Sequence, residues 1–111
     1  GVTKEKMIVF NTTFHVGEAH CQEFLAWLRE EYVPRATAHG VLTHPRLHRI
    51  MGHRGADADG GVSYALQLEV ASLGQLQRWN LAVGKDLMAR MASRFGSRVV
   101  AFSTMMEKLE L

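Results

Sequence analysis

The chain has a single cysteine, Cys21, so no intrachain disulfide can form and a disulfide-stapled scaffold is excluded. That cysteine usage fits a reducing compartment, and a cytoplasmic location is expected. On a helix Cys21 shares a face with Phe24, Leu25 and Leu28, and its expected role is that of a small buried hydrophobe, as for most free cysteines. Long apolar runs are missing too. The stretch from Met7 to Phe10 stops at Asn11, far short of the roughly 20 residues that span a bilayer, so no membrane partner is expected. The first residues lack the apolar stretch and small-residue cleavage site of a secretory signal, and residues 1–5 are expected to be disordered or tag-derived. Charge of one sign is in short supply: the formal net charge is +2, and Lys85, Arg90, Arg94 and Arg98 are explained by a solvated helix face at least as well as by a polyanion. There is no phosphate-cradling glycine motif, no Gly-x-Ser-x-Gly elbow and no paired-carboxylate motif.

What is present is a composition able to build a core, with 47% hydrophobic and 22% charged residues, which argues against disorder. At 111 residues the chain fits one domain, 1–111. Two runs alternate apolar and polar residues as half-buried strands do. Phe10, Thr12, Phe14 and Val16 form one apolar phase, and Tyr64, Leu66, Leu68 and Val70 another. The first strand is expected over Lys6 to Val16, ended by Gly17. A helix follows from Glu18 to about His39, its stripe being Cys21, Phe24, Leu25, Leu28 and Tyr32, with Trp27 packing at the stripe's edge. Pro34 is expected to end or kink it, because an interior proline removes a hydrogen bond and crowds the preceding turn. Arg35 to His39 would then be a reoriented turn closed by Gly40.

Leu42 to Met51 reads as a second, edge strand, since Pro45 lacks a ladder donor. Its register has two solutions. With Leu47 and Met51 toward the core, Arg46, His48 and Ile50 point away, and a slip of one residue reverses all of them. Gly52 to Gly61, with its glycines and aspartates, reads as a flexible connection, and Val62 to Val70 as the third strand. Ser72 to Gln75 has the Ser-x-x-Gln form of a capping box and starts the second helix. Leu73, Leu76, Val83, Leu87 and Met91 make its stripe, Gly84 weakens its middle and is expected to split it, and Gly96 closes it. Arg98 to Met106 is the last strand.

The strand-helix-strand-strand-helix-strand order predicts an α+β fold: a ferredoxin-like βαββαβ domain, its four-stranded antiparallel sheet carrying two helices on one face. The other face is left open. The phases put Met7, Val9, Asn11, Thr13 and His15 there from the first strand, with Ser63, Ala65, Gln67 and Glu69 from the third. The last strand is apolar on both phases, Val99, Ala101 and Met105 alternating with Val100, Phe102 and Met106, as expected where a second layer buries the outward side. A homodimer closing through this face would supply that layer. Asn11, Thr13, His15, His48 and Gln67 are the candidate ligand-binding residues, able to orient a small apolar or aromatic molecule in a mostly apolar cavity. Structural hydrogen bonding across the interface or to trapped water is the competing reading.

Six histidines invite a metal hypothesis, above all His44, His48 and His53. On a strand, positions four apart are separated by about 13 Å, too far for one ion held by bonds of about 2 Å. No metal and no cofactor is expected. RNA-recognition modules share the strand order but stack bases on open-face aromatics, which the first and third strands here lack, so no nucleic-acid partner is expected.

With these residues in view, the chain resembles a family of short bacterial proteins of unknown function, similar in architecture to dimeric α/β-barrel proteins. The resemblance rests on Met7-Ile8-Val9-Phe10-Asn11, on Trp27 through Pro34, on Gly61 through Gln67, and on Arg94-Phe95-Gly96 leading into Val99-Val100-Ala101-Phe102. It implies a dimeric barrel and raises the expectation of small-molecule binding, cofactor-free enzyme activity included. It does not imply a reaction. Members of the family it resembles often carry histidine where this chain has Tyr32, so the resemblance does not imply a helix-borne histidine base here. Haem-degrading members of the wider superfamily share an asparagine like Asn11 but also use a histidine on the second helix, and no histidine follows His53.

Overall fold

The computed structural model describes residues 7–52 and 60–111. Four strands, β1 (Ile8–Gly17), β2 (Thr43–Arg49), β3 (Gly61–Val70) and β4 (Val99–Glu107), form one antiparallel sheet in the order β2-β3-β1-β4. Between β1 and β2 a 3-10 turn leads into α1 (Cys21–Trp27), a π turn (Leu28–Tyr32) and α2 (Val33–Thr37). Between β3 and β4 lie α3 (Leu73–Trp79), a second π turn (Asn80–Gly84) and α4 (Lys85–Phe95). The expected βαββαβ order is met. Among the described residues no helix is long and apolar enough to cross a membrane.

Alternation sets the packing. Phe14, Val16, Leu66, Leu68 and Val70 are buried under the helices together with Phe24, Leu28, Leu87 and Phe95. Phe14 lies 5.1 Å from Phe24 and 5.7 Å from Tyr32, ring centre to ring centre, while Phe10 meets the edge of Trp79 at 5.7 Å. One helical segment therefore covers one end of β1, and the second covers the other.

The helix does not stop at Pro34. Its missing donor falls just after the π turn, where the wider turn has already displaced the regular hydrogen-bond ladder, and helical backbone continues to Thr37. In the second segment Gly84 closes a π turn rather than breaking the helix: a Cβ there would sit 2.6 Å from the Trp79 ring. Trp79 in turn donates its Nε1 hydrogen to the Ala36 carbonyl at 2.9 Å, tying the two segments together. Ser72 accepts from the Gln75 backbone N–H at 3.2 Å, the cap read from the sequence, and Gly96 adopts φ 56 at the end of α4.

Some boundaries and placements differ from expectation. β2 is shorter than Leu42 to Met51, and Met51 is in solvent instead of facing the core: it lies past Ile50, whose N–H still donates to the Ser63 carbonyl of β3 at 2.8 Å. β4 is shifted by one residue, to Val99–Glu107. Leu73, placed in the buried stripe, is exposed, because it stands at the first position of α3, on the rim of a cleft between that helix and the sheet. Cys21 is half-buried, its thiol donating to the Gly17 carbonyl at 3.6 Å. Residues 1–6, His53 and most of the glycine-rich connection lie outside the described residues, and with them the expectation of a disordered or tag-derived start.

Candidate functional site

Directly paired residues in an antiparallel sheet point to the same side, so the register maps the helix-free face row by row. One row runs Arg46, Gln67, Asn11, Thr104 across all four strands. The next runs His48, Ala65, Thr13, Phe102, and a third Ser63, His15, Val100. The β2 register is therefore the one with Leu47 inward and with Arg46 and His48 on the open face.

The five candidate residues share this face but do not converge on one point. Asn11 Nδ2 donates to Thr13 Oγ1 at 3.1 Å, and Gln67 stands beside Asn11. His15 Nδ1 and Ser63 Oγ are joined by a 3.0 Å hydrogen bond. His48, on the edge strand, is two strands from Thr13, roughly 10 Å at the usual spacing, and exposed. Thr13 is buried, and Asn11, His15 and Gln67 are half-buried. Along β4 the same face turns apolar: Val100, Phe102 and Met106 are 55%, 64% and 39% exposed. At the opposite corner His44 takes φ 55 at a bulge in β2, and Glu69 lies between His44 Nδ1 at 3.7 Å and Lys108 Nζ at 3.8 Å.

Beneath the sheet a second feature escaped the sequence reading. A cleft of about 340 Å³ opens between α3 and β4, walled by Phe10, Leu76 and Met105, with Gln77, Asn80 and Ser103 as its polar groups. Ser103 is hydrogen-bonded to the buried Thr12 at 3.1 Å, and Thr12 to the phenol of Tyr32. Thr12 on an apolar phase was the one available signal. Burial pushes Tyr32 up to about 12, the Thr12 hydrogen bond opposing it in part. Tyr64 is likewise raised to about 12, first by burial and then by the Cys21 thiol against it. Both phenols are neutral at pH 7 and serve as hydrogen-bond groups, not bases.

A family model described as a domain of unknown function, DUF4286, matches residues 7–109. None of the curated proteins matches the chain. Among solved structures, a monooxygenase of Streptomyces coelicolor, from the gene ActVA-Orf6 and in complex with the ligand nanaomycin D, is similar with a TM-score of 0.65. Its identity is 13%, over 98% of this chain and 93% of that one. A dimeric ferredoxin-like protein from an uncultured marine organism aligns with a TM-score of 0.58 and 10% identity, over 96% of this chain and 99% of that one. A de novo designed protein, Foldit4, reaches a TM-score of 0.57 at 12% identity, over 93% of this chain and 99% of its own. At these identities the likeness establishes the fold alone, which is ferredoxin-like.

Proposed function

The chain belongs to the DUF4286 family of domains of unknown function, which brings no activity with it, and we propose that it is a small-molecule-binding domain that pairs with a second copy through its open sheet face. The observation that carries this reading is the face itself. A polar row, Arg46-Gln67-Asn11-Thr104, crosses the sheet and reaches β4 between the exposed Phe102 and Met106, with exposed Val100 further along the strand. Strands about 4.8 Å apart and roughly 30 Å long give four of them a plan area on the order of 600 Å². With side-chain relief added, that approaches the ~800 Å² per partner of a stable interface.

Within the closed pair, Asn11, Thr13, His15 and Gln67 would orient a flat apolar or aromatic molecule, with His48 at the rim. The imidazoles of His15 and His48 can donate or accept a hydrogen bond to such a molecule. The monooxygenase with a bound ligand supports the small-molecule reading, and the dimeric ferredoxin-like protein supports the pairing.

The experiment is a thermal-shift and calorimetric screen of neutral aromatic metabolites against the wild-type protein and His15→Ala. We expect binding to the wild type, weakened about tenfold in the variant by loss of one hydrogen bond of about 1.4 kcal/mol, with the circular dichroism spectrum unchanged. Unchanged affinity removes His15 from the site. A dimer that binds nothing in the screen, its interior filled by Phe102 and Met106, instead supports a face that serves only assembly.

A further inference from the structure

A second surface, apart from both the open sheet face and the α3–β4 cleft, has the form of a binding groove. It has a volume of about 310 Å³ and runs between α3 and the turn that follows α2. Gly40, at φ 71, reverses the chain there, so that His39 and Val41 form one bank. Gln75, Arg78 and Val83 form the other, and the Trp79 ring is the floor.

Three observations concern what it can hold. The floor is fixed in advance, because Trp79 is 5% exposed, bonded to the Ala36 carbonyl and seated in the space that Gly84 leaves. A preformed apolar floor lowers the ordering cost of binding. The banks carry His39 and Arg78 and no carboxylate. Arg90, Arg94 and Arg98 are each hydrogen-bonded to a carboxylate or a carbonyl, whereas the exposed Arg78 has no hydrogen bond or ion pair among the described residues. A free guanidinium beside a rigid indole matches a planar acid, since its fork pairs with both carboxylate oxygens while the ring lies on apolar surface.

We propose that this groove binds a small aromatic carboxylate, its ring on Trp79 and Val83, its carboxylate on Arg78, with Gln75 or His39 supplying a further hydrogen bond. The site does not depend on pairing of the sheet faces.

The test is a titration of the ¹⁵N-labelled protein with naphthalene-2-carboxylate and with its neutral isostere naphthalene-2-carboxamide. The carboxylate is expected to shift the Trp79 indole, Val41 and Gln75 resonances and to bind about tenfold more tightly than the amide, the margin of a charge-assisted bond at a solvent-exposed bank. Arg78→Gln, a surface change, should erase that preference while leaving the spectrum of the free protein otherwise unaltered. Equal affinity for acid and amide overturns the proposal, as does a preference that survives in Arg78→Gln, or shifts confined to Asn80 and Ser103 in the other cleft. Absence of binding at millimolar ligand also overturns it.

Discussion

Tyr32 shows how one buried polar group sets a measurable property. Its phenol is 1% exposed, bonded to Thr12 and raised to about 12, against about 10 in an unfolded chain. The folded state therefore holds its proton through a range in which the unfolded state releases it. The stabilisation is complete below pH 10 and is lost as pH rises from 10 to 12, by roughly 2–3 kcal/mol for a shift of this size. Tyr64 acts in the same direction. Urea unfolding of Tyr32→Phe should show a cost of about 1 kcal/mol at pH 7 from the lost hydrogen bond. It should also show a shallower alkaline decline than the wild type's, and an unchanged decline would place the effect elsewhere.

At the scale of elements, the two π turns decide how the helices lie on the sheet, and Gly84 is the point where the second can be tested. Alanine in a helix is normally favoured over glycine by about 1 kcal/mol. Here its methyl group would stand 2.6 Å from the Trp79 ring, which is held by the Ala36 carbonyl and cannot swing aside freely. Gly84→Ala should therefore destabilise the protein by about 1–3 kcal/mol in chemical denaturation. A gain in stability would mean that Trp79 repacks without cost. The strands were legible in the sequence because a period of two is an unambiguous signal over ten residues: β1 and β3 have the expected phases, with Phe14 and Leu66 inward and Asn11 and Gln67 outward. The π turns were not, because Pro34 and Gly84 report only that regular hydrogen bonding is disfavoured there. What relieves it is tertiary, the seating of Trp79 in one case. The open-face candidates of β1 and β3 could be read from strand phase alone, but His48 was placed only by the pairing of β2 with β3, and the α3–β4 cleft could not be read at all, since β4 is apolar on both phases and its inward side, Ser103 and Met105, is fixed only by pairing with β1.

For the whole molecule, the consequence of helices on one side only is a sheet whose other side ends in an apolar edge. Phe102, near the middle of β4, is the most exposed aromatic side chain of that face. If the open faces of two copies meet, Phe102→Lys places like charges in the interface and should convert a dimer to a monomer in sedimentation equilibrium at micromolar concentration. The lysine is harmless in a solvated monomer, so thermal stability at high dilution should change by less than ~0.5 kcal/mol. A variant that sediments as the wild type does would show that β4 takes no part in assembly.

Both halves of the chain carry the same punctuation: a tryptophan, Trp27 or Trp79, ends a short helix and a widened turn follows at once. Such a turn holds one residue more than a regular one, so each half keeps its own count and stays in step with the other. Deleting a single residue there would return the turn to regular spacing and take away the extra residue that it accommodates. The matched irregularities thus behave as paired spacers, and a graft of one half onto the other would have to carry its spacer with it to keep the strands aligned.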